Sequence, residues 1–140
     1  MFLALLSTLC CLITANPTLA ARDSMVHANE SDPGSTVEVK NFLANDKPTL
    51  LFIRSLHCPT CKRATPRIMR LSNVNSNIRI VDILIDKKSD TEIGFNSPAG
   101  KQFEVTATPT YIIYDKDGKV SASGDKADEQ VDNWLKEAHL

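Results

Sequence analysis

The sequence predicts an α/β fold, a mixed central sheet with helices on both faces. Three observations lead to it. Apolar, β-rich runs at residues 49–53 and 78–85 bracket a segment of helical pattern, which implies a parallel pair joined by a right-handed crossover. Two later runs, 111–115 and 120–123, flank the turn Lys116-Asp117-Gly118-Lys119 and read as a hairpin. Finally, 140 residues at 42% hydrophobic and 24% charged suit one globular domain.

Taken in order, residues 1–15 are almost continuously apolar and break at Asn16-Pro17. That core is short for a bilayer span, so no stable membrane span is expected. Small residues Thr18 and Ala20 fit a processing site, so 1–20 reads as a secretory signal and the protein as exported, periplasmic by preference. No Lys or Arg precedes the apolar run, which departs from the usual signal pattern. Residues 21–34 mix Asp, Ser, Asn, His, Pro and Gly without periodicity and read as a flexible leader, with His27 solvated. The domain proper is 35–140.

Within it, Ser35 or Thr36 caps a short helix to about Asn45, with Val37, Phe42 and Leu43 turned inward. Residues 59–73 form a helix that turns Ile68, Met69 and Leu71 to the sheet and keeps Lys62, Arg63, Arg67 and Arg70 wet. Asp86-Lys87-Lys88-Ser89-Asp90 reads as a charged, solvated connection. Residues 98–103 are a short helix opened by Pro98. Val131, Trp134, Leu135 and Ala138 share one face of a last helix over 126–139.

The chemistry concentrates at Ser55-Leu56-His57-Cys58-Pro59-Thr60-Cys61-Lys62. Pro59 suits the first position of a helix. Cys58 then stands just before it, near free backbone N–H groups and the positive end of the dipole, where a thiolate is favoured. Cys61 lies one turn on, close enough to form a Cys58–Cys61 disulfide. Cys10 and Cys11 fall in the apolar segment, so this is the one pair left to a processed chain. The Thr60 hydroxyl is placed to donate to Cys58; His57 either acts as a nearby cation or packs as an ordinary loop residue.

A strand, CxxC-Lys, a proline at Pro66 that kinks the helix, and Thr108-Pro109 heading a later strand together resemble the thioredoxin superfamily. The resemblance covers residues 35–140 and implies the thioredoxin fold. It implies a thiol–disulfide oxidoreductase, with Cys58 as nucleophile, Cys61 resolving, and Pro59 and Thr60 tuning the pair. It also implies a cis bond at Pro109 and a substrate-binding role for Thr108 and Pro109. Thioredoxins carry a buried carboxylate where this chain has Phe52, so Asp82 on the neighbouring strand either replaces it, taking up a proton near neutrality, or stands at a strand edge facing water. Compact exported members favour the reductase direction.

The implied partners are protein disulfides or thiols and a redox-recycling protein. The alternatives are a disulfide oxidant or isomerase, and a Cu(I)-binding metallochaperone that would use the two thiols as soft ligands. A net charge of −1 gives no reason to expect nucleic acid. No metal site and no organic cofactor are expected: there is no Gly-rich phosphate loop, and Lys62 rather than His follows Cys61.

Overall fold

A computed structural model describes residues 25–140. The expected secretory segment, 1–20, lies outside the described residues. Strand β1 (Val26–His27) is followed by a single 3-10 turn (Val39–Phe42), then β2 (Thr49–Arg54) and helix α1 (Pro59–Val74). Next come β3 (Arg79–Leu84), the short helix α2 (Pro98–Gln102), β4 (Thr110–Tyr114), β5 (Val120–Ser123) and α3 (Asp125–Glu137). The sheet order is β1-β3-β2-β4-β5. β2 is central, parallel to β3 and antiparallel to β4, and Phe52 lies level with Asp82 on one side and Tyr111 on the other. A strand covered on both faces needs no polar alternation, which explains the unbroken apolar run in β2.

Alternate residues feed two cores. Leu50, Phe52, Ile80 and Ile113 face α1 and α3, meeting Ile68, Leu71, Val131 and Leu135. Leu51, Ile53, Val81 and Ile83 face the opposite layer, where Val37, Ala99 and Val105 cover them. Each fully buried aliphatic side chain contributes about 1.5–3 kcal/mol. The hairpin turn rests on Asp115, whose Oδ1 accepts the N–H of Asp117 and of Lys119 at 2.9 Å, with Gly118 at φ +78°.

Three expectations are corrected. Residues 25–34 are not a flexible leader: Val26 and His27 pair with Val81 and Asp82, and Met25 and Asn29 are buried. The Asn29 amide then prolongs the ladder, accepting from the Leu84 N–H at 3.0 Å and donating to the Leu84 carbonyl at 2.8 Å. The helix expected from residue 35 shrinks to the 3-10 turn, because Val37 is held by Gln102 instead, its N–H donating at 2.8 Å and its carbonyl accepting at 2.7 Å. Met69, expected in the core, is 45% exposed, since the helix turns Ile68 and Leu71 inward instead.

Candidate active site

Cys58 ends the extended segment after β2, with φ −92° and ψ 117°, and acts as the N-cap of α1. Its sulfur does what a Ser or Asp oxygen does at other helix starts: it accepts an orphan backbone N–H, that of Cys61, at 3.2 Å. Pro59, in the first turn, leaves no N–H to satisfy there. Both cysteines are free thiols, and both are buried.

The Thr60 hydroxyl lies 2.9 Å from the Cys58 sulfur and donates to the Thr108 carbonyl at 3.1 Å. The Cys58 thiol points at that same carbonyl, 3.3 Å away. The Thr108–Pro109 peptide is cis. The fold thus brings Cys58, Pro59, Thr60, Cys61 and Thr108 to one spot, across a sequence gap of 50 residues.

Electrostatics divides the two thiols. Burial pushes Cys58 up, but hydrogen bonding with the Cys61 side chain, Thr108, Thr60 and the Cys61 backbone outweighs it and brings the pKa down to about 7. Cys61 goes the other way, to about 11: burial raises it and the hydrogen-bonded Cys58 side chain adds to that, against smaller lowering contributions from the Ser55 backbone and Thr108. Of the two, Cys58 therefore loses its proton first, and Cys61 stays a thiol beside it. The Thr108 Oγ1 is buried and has no hydrogen-bond partner.

Two expected tuning residues bond to groups other than the thiols. His57 is exposed, only its backbone N–H is bonded, to Ser55 Oγ at 3.0 Å, and it is not among the groups that shift either thiol. Asp82 is buried as a proton acceptor would be, but its carboxylate is engaged by other groups. Arg54 grips it in a fork, Nε to Oδ1 at 2.6 Å and Nη2 to Oδ2 at 2.9 Å, and His27 Nδ1 lies 2.8 Å from Oδ2. His27, expected in solvent, is exposed but tied to β3 by this bond and by its pairing with Asp82. The position facing Phe52 thus carries an ion pair.

Sequence reasoning missed Asp86. Read as part of a solvated charge run, it is buried, and its two oxygens accept the N–H of Leu56 and of Gly94. It fixes the loop that leads into Cys58. Gly94 is required there, because a Cβ would meet the Ile85 carbonyl oxygen at 2.3 Å. The one available signal was position, directly after a strand and opposite the CxxC loop.

Among the described residues no group of three or more His, Cys, Asp or Glu side chains could hold a metal ion. No helix among them is long and apolar enough to cross a membrane.

Residues 36–139 match the family described as a thioredoxin-like domain. The methylamine utilization protein MauD of Methylophilus methylotrophus is 26% identical over 124 residues, which are 81% of this chain and 58% of that protein. This chain thus spans less than two thirds of that relative. Among solved structures, a thioredoxin from Trypanosoma brucei brucei superposes with a TM-score of 0.58 at 17% identity, covering 87% of this chain and 96% of that one. Thioredoxin from Malassezia sympodialis gives 0.55 at 14% identity, covering 89% and 100%. These likenesses are of fold.

Proposed function

The chain belongs to the thioredoxin-like domain family, and on that premise we propose that it is a thiol–disulfide oxidoreductase that reduces disulfides in exported proteins. The observation that carries this reading is the Cys58 sulfur seated as N-cap of α1, accepting the Cys61 N–H and facing the carbonyl before the cis proline. Cys58 attacks as thiolate and forms a mixed disulfide with the substrate; Cys61 then attacks Cys58 and frees the product. In the mixed disulfide Cys58 no longer holds a negative charge or a thiol against Cys61. Two of the influences that raise Cys61 towards about 11 then vanish, so its proton is lost more readily when it must attack.

The extent of the Cys58 shift supports the reductase direction. A value of about 7 stabilises the thiolate moderately, as in thioredoxin, whereas a strong oxidant holds its thiolate near 3.5. Thr108 and Pro109 would receive the substrate backbone beside the sulfur. Export rests on residues 1–20, read as a secretory signal.

A glutathione redox titration of the full chain tests the reading, with Cys58 and Cys61 followed by alkylation and peptide mass so that Cys10 and Cys11 are scored apart. A potential near about −270 mV is expected for a reductant. One of about −120 to −180 mV would make it an oxidant or isomerase. A pair that never closes would end the oxidoreductase reading.

A further inference from the structure

Helix α1 carries four exposed cations, Lys62, Arg63, Arg67 and Arg70, and no Asp or Glu anywhere from Pro59 to Val74. The whole chain has a net charge of −1, so this is segregation of charge. α3 is the counterpart, with five carboxylates against two lysines. The cations on α1 do not serve the helix. Its last turn, where cations oppose the negative end of the dipole, holds none, whereas Lys62 and Arg63 crowd the positive end. Arg63 and Arg67 stand at i,i+4 and Arg67 and Arg70 at i,i+3, both like-charge pairs that destabilise a helix.

Nor does the fold neutralise them. Among the described residues Lys62, Arg63 and Arg70 meet no carboxylate, and Arg67 Nη2 reaches the carbonyl oxygen of Leu140 at 3.2 Å. Beside this charge runs a shallow apolar groove between Leu56, Thr65, Pro66 and Met69, with Lys62 at its rim. Leu56 is 50% exposed and Met69 45%, and Leu56 is two residues from Cys58.

We propose that the disulfide presented to Cys58 lies in an acidic stretch of its carrier protein, with Asp or Glu side chains along α1 and one apolar side chain in the groove between Leu56 and Met69. Charge complementarity selects this occupant, since an anionic segment supplies the ion pairs that Lys62, Arg63 and Arg70 do not make within the fold. The inference rests on the reductase reading above and names the substrate class for the same site. The chemistry is balanced within the two partners. The Cys58 thiolate attacks one substrate sulfur and breaks the substrate S–S bond. Cys61 then displaces the mixed disulfide, so two electrons and two protons pass from the protein's thiols to the substrate's sulfurs.

The test uses the full chain in its dithiol form and two synthetic disulfide-bridged peptides. They share one Phe beside the bridge and differ in flanking Glu or Lys. The expected result is reduction of the Glu peptide about tenfold faster at low salt, with the ratio collapsing in about 0.5 M NaCl. In a variant carrying Arg63→Glu and Arg70→Glu the ratio inverts; being a ratio, it cancels any loss of reactivity common to both peptides. Equal rates for the two peptides, with the uncharged hydroxyethyl disulfide still reduced, overturn the inference and leave the reductase standing. Failure to reduce hydroxyethyl disulfide as well overturns the reductase reading itself. Equal peptide rates together with a sedimenting dimer that Arg63→Glu abolishes would assign the surface to a second copy of the chain instead.

Discussion

Two polar regions lie beside the carboxyl ends of β2 and β3, and they treat their buried groups in opposite ways. In the strap formed by residues 25–35, every polar side chain that enters the fold is used up. Asp82 spends its oxygens on Arg54 and His27, and Asn29 gives both ends of its amide to Leu84 and reaches the Ser35 carbonyl besides. At the start of α1 the groups are left open. Both thiols are free, Thr108 Oγ1 has no partner, and the Cys58 sulfur is held by bonds it gives up on reacting. Satisfied buried polar groups fix structure, while unsatisfied ones leave a site where a reacting atom gains something by arriving. Here the first region is a scaffold and the second a reagent.

The sharpest way to break that contrast is Asp82→Ala. It strands the Arg54 guanidinium, which is 13% exposed, and is expected to cost about 3–5 kcal/mol in a denaturant melt. If the protein were as stable as before and resolution of a mixed disulfide slowed instead, Asp82 would belong to the chemistry. Next comes Asn29→Ala, which leaves the Leu84 N–H without a partner, while the Leu84 carbonyl keeps the Gly34 N–H at 3.0 Å. About 1–3 kcal/mol should be lost, with protection from hydrogen exchange at Leu84 falling first.

A smaller effect tests the open region. Alkylation of Cys58 should rise with pH through a midpoint of about 7, because the protonated thiol below it is unreactive and the thiolate above it reacts. Thr60→Val removes the hydroxyl 2.9 Å from the sulfur, a group that lowers this pKa, and should move the midpoint upward by up to about one unit, or about 1.4 kcal/mol. The same variant should leave the denaturant midpoint nearly untouched, since Thr60 is exposed. Smallest of all is His27→Ala. His27 is 38% exposed, so its pair with Asp82 is worth less than about 1 kcal/mol, and added salt should erase the difference.

What could be read in advance follows the same division. β2 was legible because a strand buried on both faces leaves a continuous apolar run, and the CxxC turn because Pro59 and the cysteines announce a helix start. β1 was not legible. Two residues in polar surroundings carry no period, and what secures them is the side chain of Asn29 reaching a strand 55 positions away. Asp82 alone reads either as a buried proton acceptor or as a wet strand edge; only the register that sets β2 beside β3 brings Arg54 against it as a buried pair. Asp86 hid in a run of charges for the same reason, since its partners are backbone N–H groups that no composition reveals. The cis bond at Pro109 came from family resemblance, not from the local residues.

Because the Asp86 carboxylate that holds Leu56 also holds Gly94, the exposed chain from Asp86 to Gly94 begins and ends on a single anchor. Lys87, Lys88, Ser89, Thr91 and Glu92 all face outward within that closed span. Sequence spliced in at Ser89 would hang outside the anchor and leave the approach to Cys58 undisturbed. For a protein engineer, that span is the handle by which this domain can be tethered to a surface or fused to a reporter with the loop before Cys58 left in place.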